Sequence, residues 1–331
     1  MKLDIVKTNG SLIKNSSYIT SSFDLSKSTL DGVIDKLSRS DILNYSLNQF
    51  RKDYRNENEL NIINGLGVTL GDSIVGIGAV DCIKRINKDI RTSLIRPESC
   101  HTYVEELYSI AKHLFERIEY MPYDINRLSH EAVNIDIGNQ LYWKDFNEME
   151  MHDFYLKNLG IDYMDIPSEW KQNHWLQHVI QRKENKGLKY AIFCPNASTK
   201  LREIPEKYHY KIIDELHTIL QIPIIGFSSV YHPKFKNITD QCKSTSDFIQ
   251  VIANSSYVYT CDSSALHISA AYDIPSKCIF TSIRPELRSR YYKHCTSIYI
   301  GDAVTENLHE SDCPTIIKHV RNKYEEYYEN Y

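Results

Sequence analysis

The chain has little of what the common ligand-binding signatures are built from. Glycine makes up only 12 of 331 residues. No Gly-x-Gly-x-x-Gly occurs in the Gly65–Gly71 turn, which argues against a nicotinamide-binding fingerprint, and Asp72 stands where a phosphate loop carries Lys. No apolar run reaches the ~18–20 residues of a membrane span. The start, Met1-Lys-Leu-Asp-Ile-Val-Lys7, lacks the apolar core of a signal peptide. Of the eight cysteines no two share the Cys-x-x-Cys spacing of a zinc or redox site. Reduced thiols in a soluble, cytoplasmic protein are the simplest reading. A basic excess is missing as well: the net charge is −4 and the pI about 6.4, so a nucleic-acid partner is disfavoured. No Asp-x-Asp stands in the turns and no His/Cys/Asp cluster has metal-ligand spacing, so no metal and no cofactor is expected.

What remains is ordinary globular material. At 42% hydrophobic and 25% charged residues the chain can fill one large or two medium cores. Tyrosine is plentiful at 24 residues, which suits sugars and bases alike. Residues 1–58 are polar, with weak strand signals at 2–7 and 17–23 and short helices expected over 24–32 and 38–50. This stretch is read as an extension that covers an edge of the first domain or helps bind an acceptor. From residue 59 strands and helices alternate: strands over 59–65, 91–95 and 118–121, helices over 73–87, 104–115 and 152–159. A mixed, charged segment over 166–189 reads as interdomain. The alternation then resumes with strands at 189–194, 222–226, 257–260, 276–280 and 298–300 and helices at 208–220, 246–254 and after Asp262. Such alternation means βαβ units and parallel sheets. The expected domains are 1–58, 59–170, 171–312 and a terminal helix over 313–331.

Three turns carry candidate chemistry. Tyr257-Val-Tyr-Thr-Cys-Asp262-Ser263-Ser264-Ala-Leu-His267 reads as strand, turn and helix. The free N–H groups of the first helical turn favour an anion there. Asp262, Ser263 and Ser264 are all good caps, and His267 lies one turn further on. The plain alternative is a capped helix with a surface histidine. A second turn, Pro195-Asn-Ala-Ser198-Thr199-Lys200-Leu-Arg202, offers hydroxyls and cations after a strand, or else a solvated loop. The third is Gly65-Leu-Gly-Val-Thr-Leu-Gly71-Asp72, a Gly-rich turn before a helix, in which Asp72 is either a cap or a carboxylate offered to a ligand. Arg284, Arg288 and Arg290 follow the strand after the Asp262 helix. They either face an anion or form a solvated charge run, with Arg284 the anchor.

In order and spacing these segments resemble those of glycosyltransferase family nine, the ADP-heptose:lipopolysaccharide heptosyltransferases. Asp262 to Pro275 is similar to the family's donor motif of Asp, Ser/Thr, Gly, two variable residues, His and a closing Pro, with Ser264 in place of Gly and Tyr272 in place of Leu. Gly71-Asp72 followed by an apolar run resembles the family's Gly-Asp segment, with Gly78 in place of Pro. The 195–210 stretch resembles its Lys-x-Trp-Pro segment, with Arg202 for Lys and Ile204 for Trp. The loop from Ser282 to Arg290 occupies the place of a further family loop. The resemblance spans about residues 59 to 300.

It implies an α/β fold of the GT-B type: two Rossmann-like βαβ domains facing each other across a cleft, with an N-terminal extension. It also implies an inverting glycosyltransferase that takes a nucleotide-sugar donor, heptose-like by family default, to a glycan such as lipopolysaccharide or capsule. Asp72 would be the general base, with Gly71 beside it. Ser198, Thr199, Lys200, Arg202, Asp262, Ser263, Ser264 and His267 would hold the donor, with Arg284 in support, and no metal is needed. The departures at Ser264, Ile204 and Gly78 leave another donor open. A phage-type enzyme acting on DNA bases or protein, or a silent nucleotide- or sugar-binding protein on the same fold, are the competing readings. Peripheral membrane contact also stays open.

Overall fold

The computed structural model describes residues 5–27, 32–182 and 189–329. The chain divides into two compact units, Met1–Lys171 and Gln172–Tyr331.

The first unit runs, in chain order, through β1 (Leu12–Lys14), β2 (Tyr18–Thr20), α1 (Ser22–Lys27), β3 (Ile34–Lys36), β4 (Glu59–Ile63), α2 (Leu70–Ile86), β5 (Arg91–Arg96), α3 (Thr102–Ile110), β6 (Arg117–Tyr120), β7 (Tyr123–Asp124), β8 (Val133–Asp136) and α4 (Met151–Asn158). Its main sheet is parallel, in the order β6-β5-β4-β8. The near-continuous apolar runs Leu60–Ile63 and Leu94–Ile95 are buried, as strands of a parallel sheet covered on both faces must be. α4 stops at Gly160, whose φ of +81° is the left-handed cap conformation that glycine adopts most cheaply.

The N-terminal residues do more than cover an edge. β1, β2 and β3 form an antiparallel sheet completed by β7 from the middle of the unit. Ile19, Leu37 and Ile42 share a core with Ile63, Ile95 and Met121. The buried Asp136 carboxylate accepts from the Ser11 N–H at 2.7 Å and the Ser11 hydroxyl at 2.8 Å.

Several local expectations fail here. Of the strand expected over 2–7, Ile5 and Val6 are helical and residues 2–4 lie outside the described residues. The helix expected over 24–32 begins earlier, at Ser22, and residues 28–31 lie outside the description. The helix expected over 38–50 does not form. Leu43 instead bridges Ile135 of β8, and the Asn44 side chain turns to the Ser46 hydroxyl at 2.6 Å and to Asp136 at 3.4 Å. Pairing with the sheet overrides the local helix signal.

The second unit contains α5 (Trp175–Val179), β9 (Ala191–Cys194), α6 (His209–Leu220), β10 (Ile224–Gly226), β11 (Phe235–Asn237), α7 (Thr245–Ala253), β12 (Tyr257–Cys261), α8 (Ser264–Ala271), β13 (Ser276–Phe280), β14 (Cys295–Tyr299) and α9 (Pro314–Glu329). Its six strands are all parallel, in the order β11-β10-β9-β12-β13-β14. The chain order reverses between β9 and β12. Residues 183–188 of the expected interdomain segment lie outside the described residues. The Tyr-rich tail is core rather than surface. Tyr324 and Tyr328 of α9 are buried, Tyr328 stacks on Tyr208 at 4.8 Å, and its hydroxyl meets that of Tyr259 at 2.7 Å. Among the described residues no helix is long and apolar enough to cross a membrane.

Candidate functional site

In an open parallel sheet, ligands bind beyond the carboxyl ends of the strands where the chain order reverses. In the second unit that point lies between β9 and β12. β9 ends at Cys194 and runs into Pro195–Arg202, while β12 ends at Cys261 and runs into Asp262–Ser264. Two of the three turns singled out in the sequence therefore meet there.

Arg202 ties them together. Its Nη1 donates to the Asp262 carbonyl at 3.1 Å and to Asp262 Oδ2 at 3.3 Å, its Nε donates to the Thr199 hydroxyl at 3.2 Å, and Nη2 donates to the Ser198 hydroxyl. The half-exposed Glu310 carboxylate stands 3.8 Å from Nη2. The Thr199 hydroxyl donates onward to the His309 carbonyl at 2.7 Å. Ser263 is the N-cap of α8 but does not cap it with its side chain. Its hydroxyl lies 3.1 Å from that of Thr260 instead. Ser264, in the place of the family's Gly, is the first helical residue and half-buried.

Asp262 is buried, which pushes its carboxyl pKa up. Arg202, Arg288, His267 and His309 together outweigh this and hold it below the ordinary carboxylate range. The carboxylate is therefore ionised and surrounded by cationic or dipolar groups. The cluster brings two guanidinium groups and an uncapped helix N-terminus together, which suits a polyanion such as a diphosphate.

The other expected donor residues stand differently. His267 is buried rather than on the surface, with Nδ1 2.6 Å from the Tyr292 hydroxyl, to which Asn173 Nδ2 also donates at 3.0 Å. Its ring is thus anchored, and it bears on Asp262 electrostatically. Lys200 is exposed and lines a separate cavity of about 940 Å³ with Asn196, Glu203, Glu206 and Phe227. Arg284 is half-exposed and paired with Glu306 at 3.0 Å and Glu286 at 3.6 Å. Of the arginines after β13, the one whose charge acts on Asp262 is Arg288, which is buried. Pro285 opens a short 3-10 turn in which Leu287 packs into the core, and Arg288 after it is buried too. Ile204, where the family has Trp, packs in the main core of the unit. His309 carried no sequence signal.

In the first unit the chain order reverses between β4 and β8, and Asp72 follows β4. α2 begins at Leu70, so Gly71 and Asp72 belong to its first turn rather than to the loop before it. Asp72 is half-buried. Gly67 has φ +101°, and a Cβ added there would sit 2.5 Å from the Asp72 Cβ and 3.2 Å from the Tyr155 hydroxyl. Glycine is thus required twice over, for its backbone conformation and for the approach of Asp72. Tyr155 donates to the Leu66 carbonyl at 3.2 Å and accepts from Gln140 Nε2 at 2.8 Å. The turn before Asp72 is fixed from the β8 side by these two buried groups.

One pH dependence follows from the second-unit cluster. Burial, aided by Arg288 and Arg202 and opposed by Asp262, lowers the His309 pKa from 6.5 to about 4. His309 is therefore neutral in the folded chain down to about pH 4, while the unfolded chain takes up the proton near 6.5. Stability is full above pH 6.5 and falls as pH drops toward 4, by about 3 kcal/mol at most from this group. Chemical denaturation at pH 7 and pH 4.5 should record the loss, and His309→Gln should flatten part of it. An equal loss in the variant would remove His309 as its cause.

No protein-family model matches the chain, and no curated protein matches its sequence. Solved structures do. E. coli ADP-heptose LPS heptosyltransferase II is 12% identical, with 81% of this chain and 99% of that one covered and a TM-score of 0.50. TibC from enterotoxigenic E. coli H10407, described as a dodecameric iron-containing glycosyltransferase, is 10% identical over 93% of this chain and 85% of that one, with a TM-score of 0.50. TibC in complex with ADP-D-β-D-heptose is 11% identical over 93% and 82%, with a TM-score of 0.51. At these identities the likeness is one of fold, and the chain has the GT-B fold of these glycosyltransferases.

Proposed function

We propose that the protein is an inverting glycosyltransferase that moves a sugar, heptose-like, from a nucleotide-sugar donor to a hydroxyl of a glycan acceptor. The observation that carries this is the Arg202–Asp262–Arg288 cluster at the strand-order reversal of the second unit. The fold shared with heptosyltransferases supports it. In the proposed reaction the acceptor oxygen forms a bond to the anomeric carbon as the bond from that carbon to the donor diphosphate breaks. The diphosphate leaves with the bonding pair, and Asp72 takes the acceptor proton. Single displacement inverts the anomeric centre. The uncapped start of α8 and the two guanidinium groups stabilise the charge that builds on the leaving diphosphate.

The test is incubation with a panel of nucleotide sugars, ADP-heptose among them, with and without oligosaccharide acceptors. Release of nucleoside diphosphate from at least one donor is expected. A panel in which none is turned over or bound would end the proposal.

The same cations make a metal unnecessary in this proposal, so turnover should survive dialysis against EDTA. Among the described residues no group of three or more His, Cys, Asp or Glu side chains is arranged to hold a metal ion. Activity that disappears with EDTA and returns with Mg²⁺, Mn²⁺ or iron would contradict metal independence and leave the donor site standing.

A further inference from the structure

The end of β5 carries a charge that its surroundings do not answer. Arg96 is the last residue of the strand and fully buried. None of its three guanidinium nitrogens has a hydrogen-bond partner among the described residues. What it has is the ring of Tyr108, with 3.5 Å from the guanidinium carbon to the ring centroid. An aromatic face offsets only part of the cost of taking a guanidinium out of water.

The next helix opens nearby. α3 has His101 as its N-cap, with no side-chain cap. Arg96 bears directly on the thiol of Cys100, the residue before that cap. The guanidinium therefore lies at the positive end of a nine-residue helix. Just outside, the exposed rings of His101 and Tyr103 stack at 5.1 Å. Three carboxylates border the corner: Glu105, in the first turn of α3, accepts from the Cys100 thiol at 3.5 Å, Asp24 of α1 accepts from the Ser99 N–H at 2.8 Å and the Glu98 N–H at 3.1 Å, and Glu98 itself is exposed.

We propose that this corner of the first unit is an oxyanion site, in which a carboxylate or phosphate group lies between the Arg96 guanidinium and the first-turn N–H groups of α3. The planar fork of Arg matches two oxygens of such a group. The anion enters past the exposed residues Glu98, His101 and Tyr103. It is carried either by the acceptor, which rests on the reading of the protein as a glycosyltransferase, or by a free ion, which does not.

The test reads Cys100 directly. The full chain is alkylated with iodoacetamide in rising inorganic phosphate at constant ionic strength, and labelling is mapped to each cysteine by mass spectrometry. The exposed Cys313 of the second unit serves as the reference. Phosphate should slow labelling of Cys100 by about threefold or more near saturation and leave Cys313 unchanged. Arg96→Met should abolish the protection and melt no lower than the parent in phosphate-free buffer, since it removes a buried cation that has no ion-pair partner among the described residues. Glu105→Gln should shift protection to lower phosphate, since it removes a like charge from the site. Labelling of Cys100 that ignores phosphate, with Arg96→Met and Glu105→Gln both melting several degrees lower, would mean that Arg96 is paired internally by Glu105, and would overturn the proposal. Should Arg96→Met not fold, the labelling curve of the parent decides alone. Where a transfer assay exists, a rise in acceptor KM in Arg96→Met with donor hydrolysis unchanged assigns the anion to the acceptor. Unchanged KM with phosphate protection intact assigns it to a free ion.

Discussion

Asp72→Asn should lower sugar transfer by ~10²–10⁴-fold, the usual contribution of general-base catalysis, while nucleotide affinity stays within about twofold of the parent. The substitution keeps the shape of the side chain and removes its basicity. Asp72 is in the first turn of α2, where a carboxylate also interacts favourably with the helix dipole. Its loss as a mere dipole partner would cost a few tenths to ~1 kcal/mol of stability and would leave the reaction rate alone. The two readings therefore separate on rate rather than on folding. Steady-state kinetics with saturating donor, beside calorimetry of nucleotide binding, would distinguish them. Near-parental transfer by Asp72→Asn would remove Asp72 from the chemistry and leave the donor site untouched.

Arg202→Ala should weaken nucleoside diphosphate binding by about tenfold to a hundredfold, since a hydrogen bond to a charged group contributes ~1.5–3 kcal/mol. This arginine also holds the two loops together, so its removal has a second effect. Asp262 is buried and loses one of the cations that keep it ionised. The variant should melt lower, and its stability should decline at higher pH than in the parent. A carboxylate whose folded pKa is depressed stabilises above its unfolded value and loses that contribution as pH falls through the folded one. Raising the folded pKa of Asp262 moves that loss upward. Arg202→Lys keeps the charge without the fork and should recover part of both properties. Calorimetry at a temperature where both variants are folded checks the binding claim, and unchanged affinity in Arg202→Ala would contradict it.

Much of the architecture was legible because the signals were local. Strand and helix alternate from Glu59 onward, and the buried runs at Leu60–Ile63, Ala191–Cys194 and Val258–Cys261 are short and continuous, as parallel strands require. The turn at Asp262 was legible for the same reason, since its cap residues stand directly between a β-prone run and a small-residue helix. What failed depends on contacts far apart in sequence. Nothing in 38–50 announces that Leu43 will pair with Ile135. The three-residue strand β11, between two polar loops, has no periodicity to read. Within the site, the sequence supplied residue types but not directions. Arg284 and Arg288 are one turn apart, and only packing decides that Arg288 goes inward while Arg284 pairs with Glu306. Neither the donor-facing reading of His267 nor its plain alternative, a surface histidine, indicates that Tyr292, 25 residues on, takes its ring nitrogen. Nothing in the sequence marks Arg96, because a buried cation and a surface one are spelled the same way.

In the proposed reaction the strand-order reversal of the second unit holds the diphosphate of a nucleotide sugar between Arg202, Arg288 and the start of α8. Calorimetric titration of the full chain with nucleoside diphosphates and nucleotide sugars, ADP and ADP-heptose first, tests this most directly. Saturable binding of at least one of these is expected, stronger for the diphosphate than for the matching monophosphate and weakened at least ~tenfold in Arg202→Ala. Binding that does not depend on the second phosphate and survives Arg202→Ala, or no binding of any nucleotide, would contradict it.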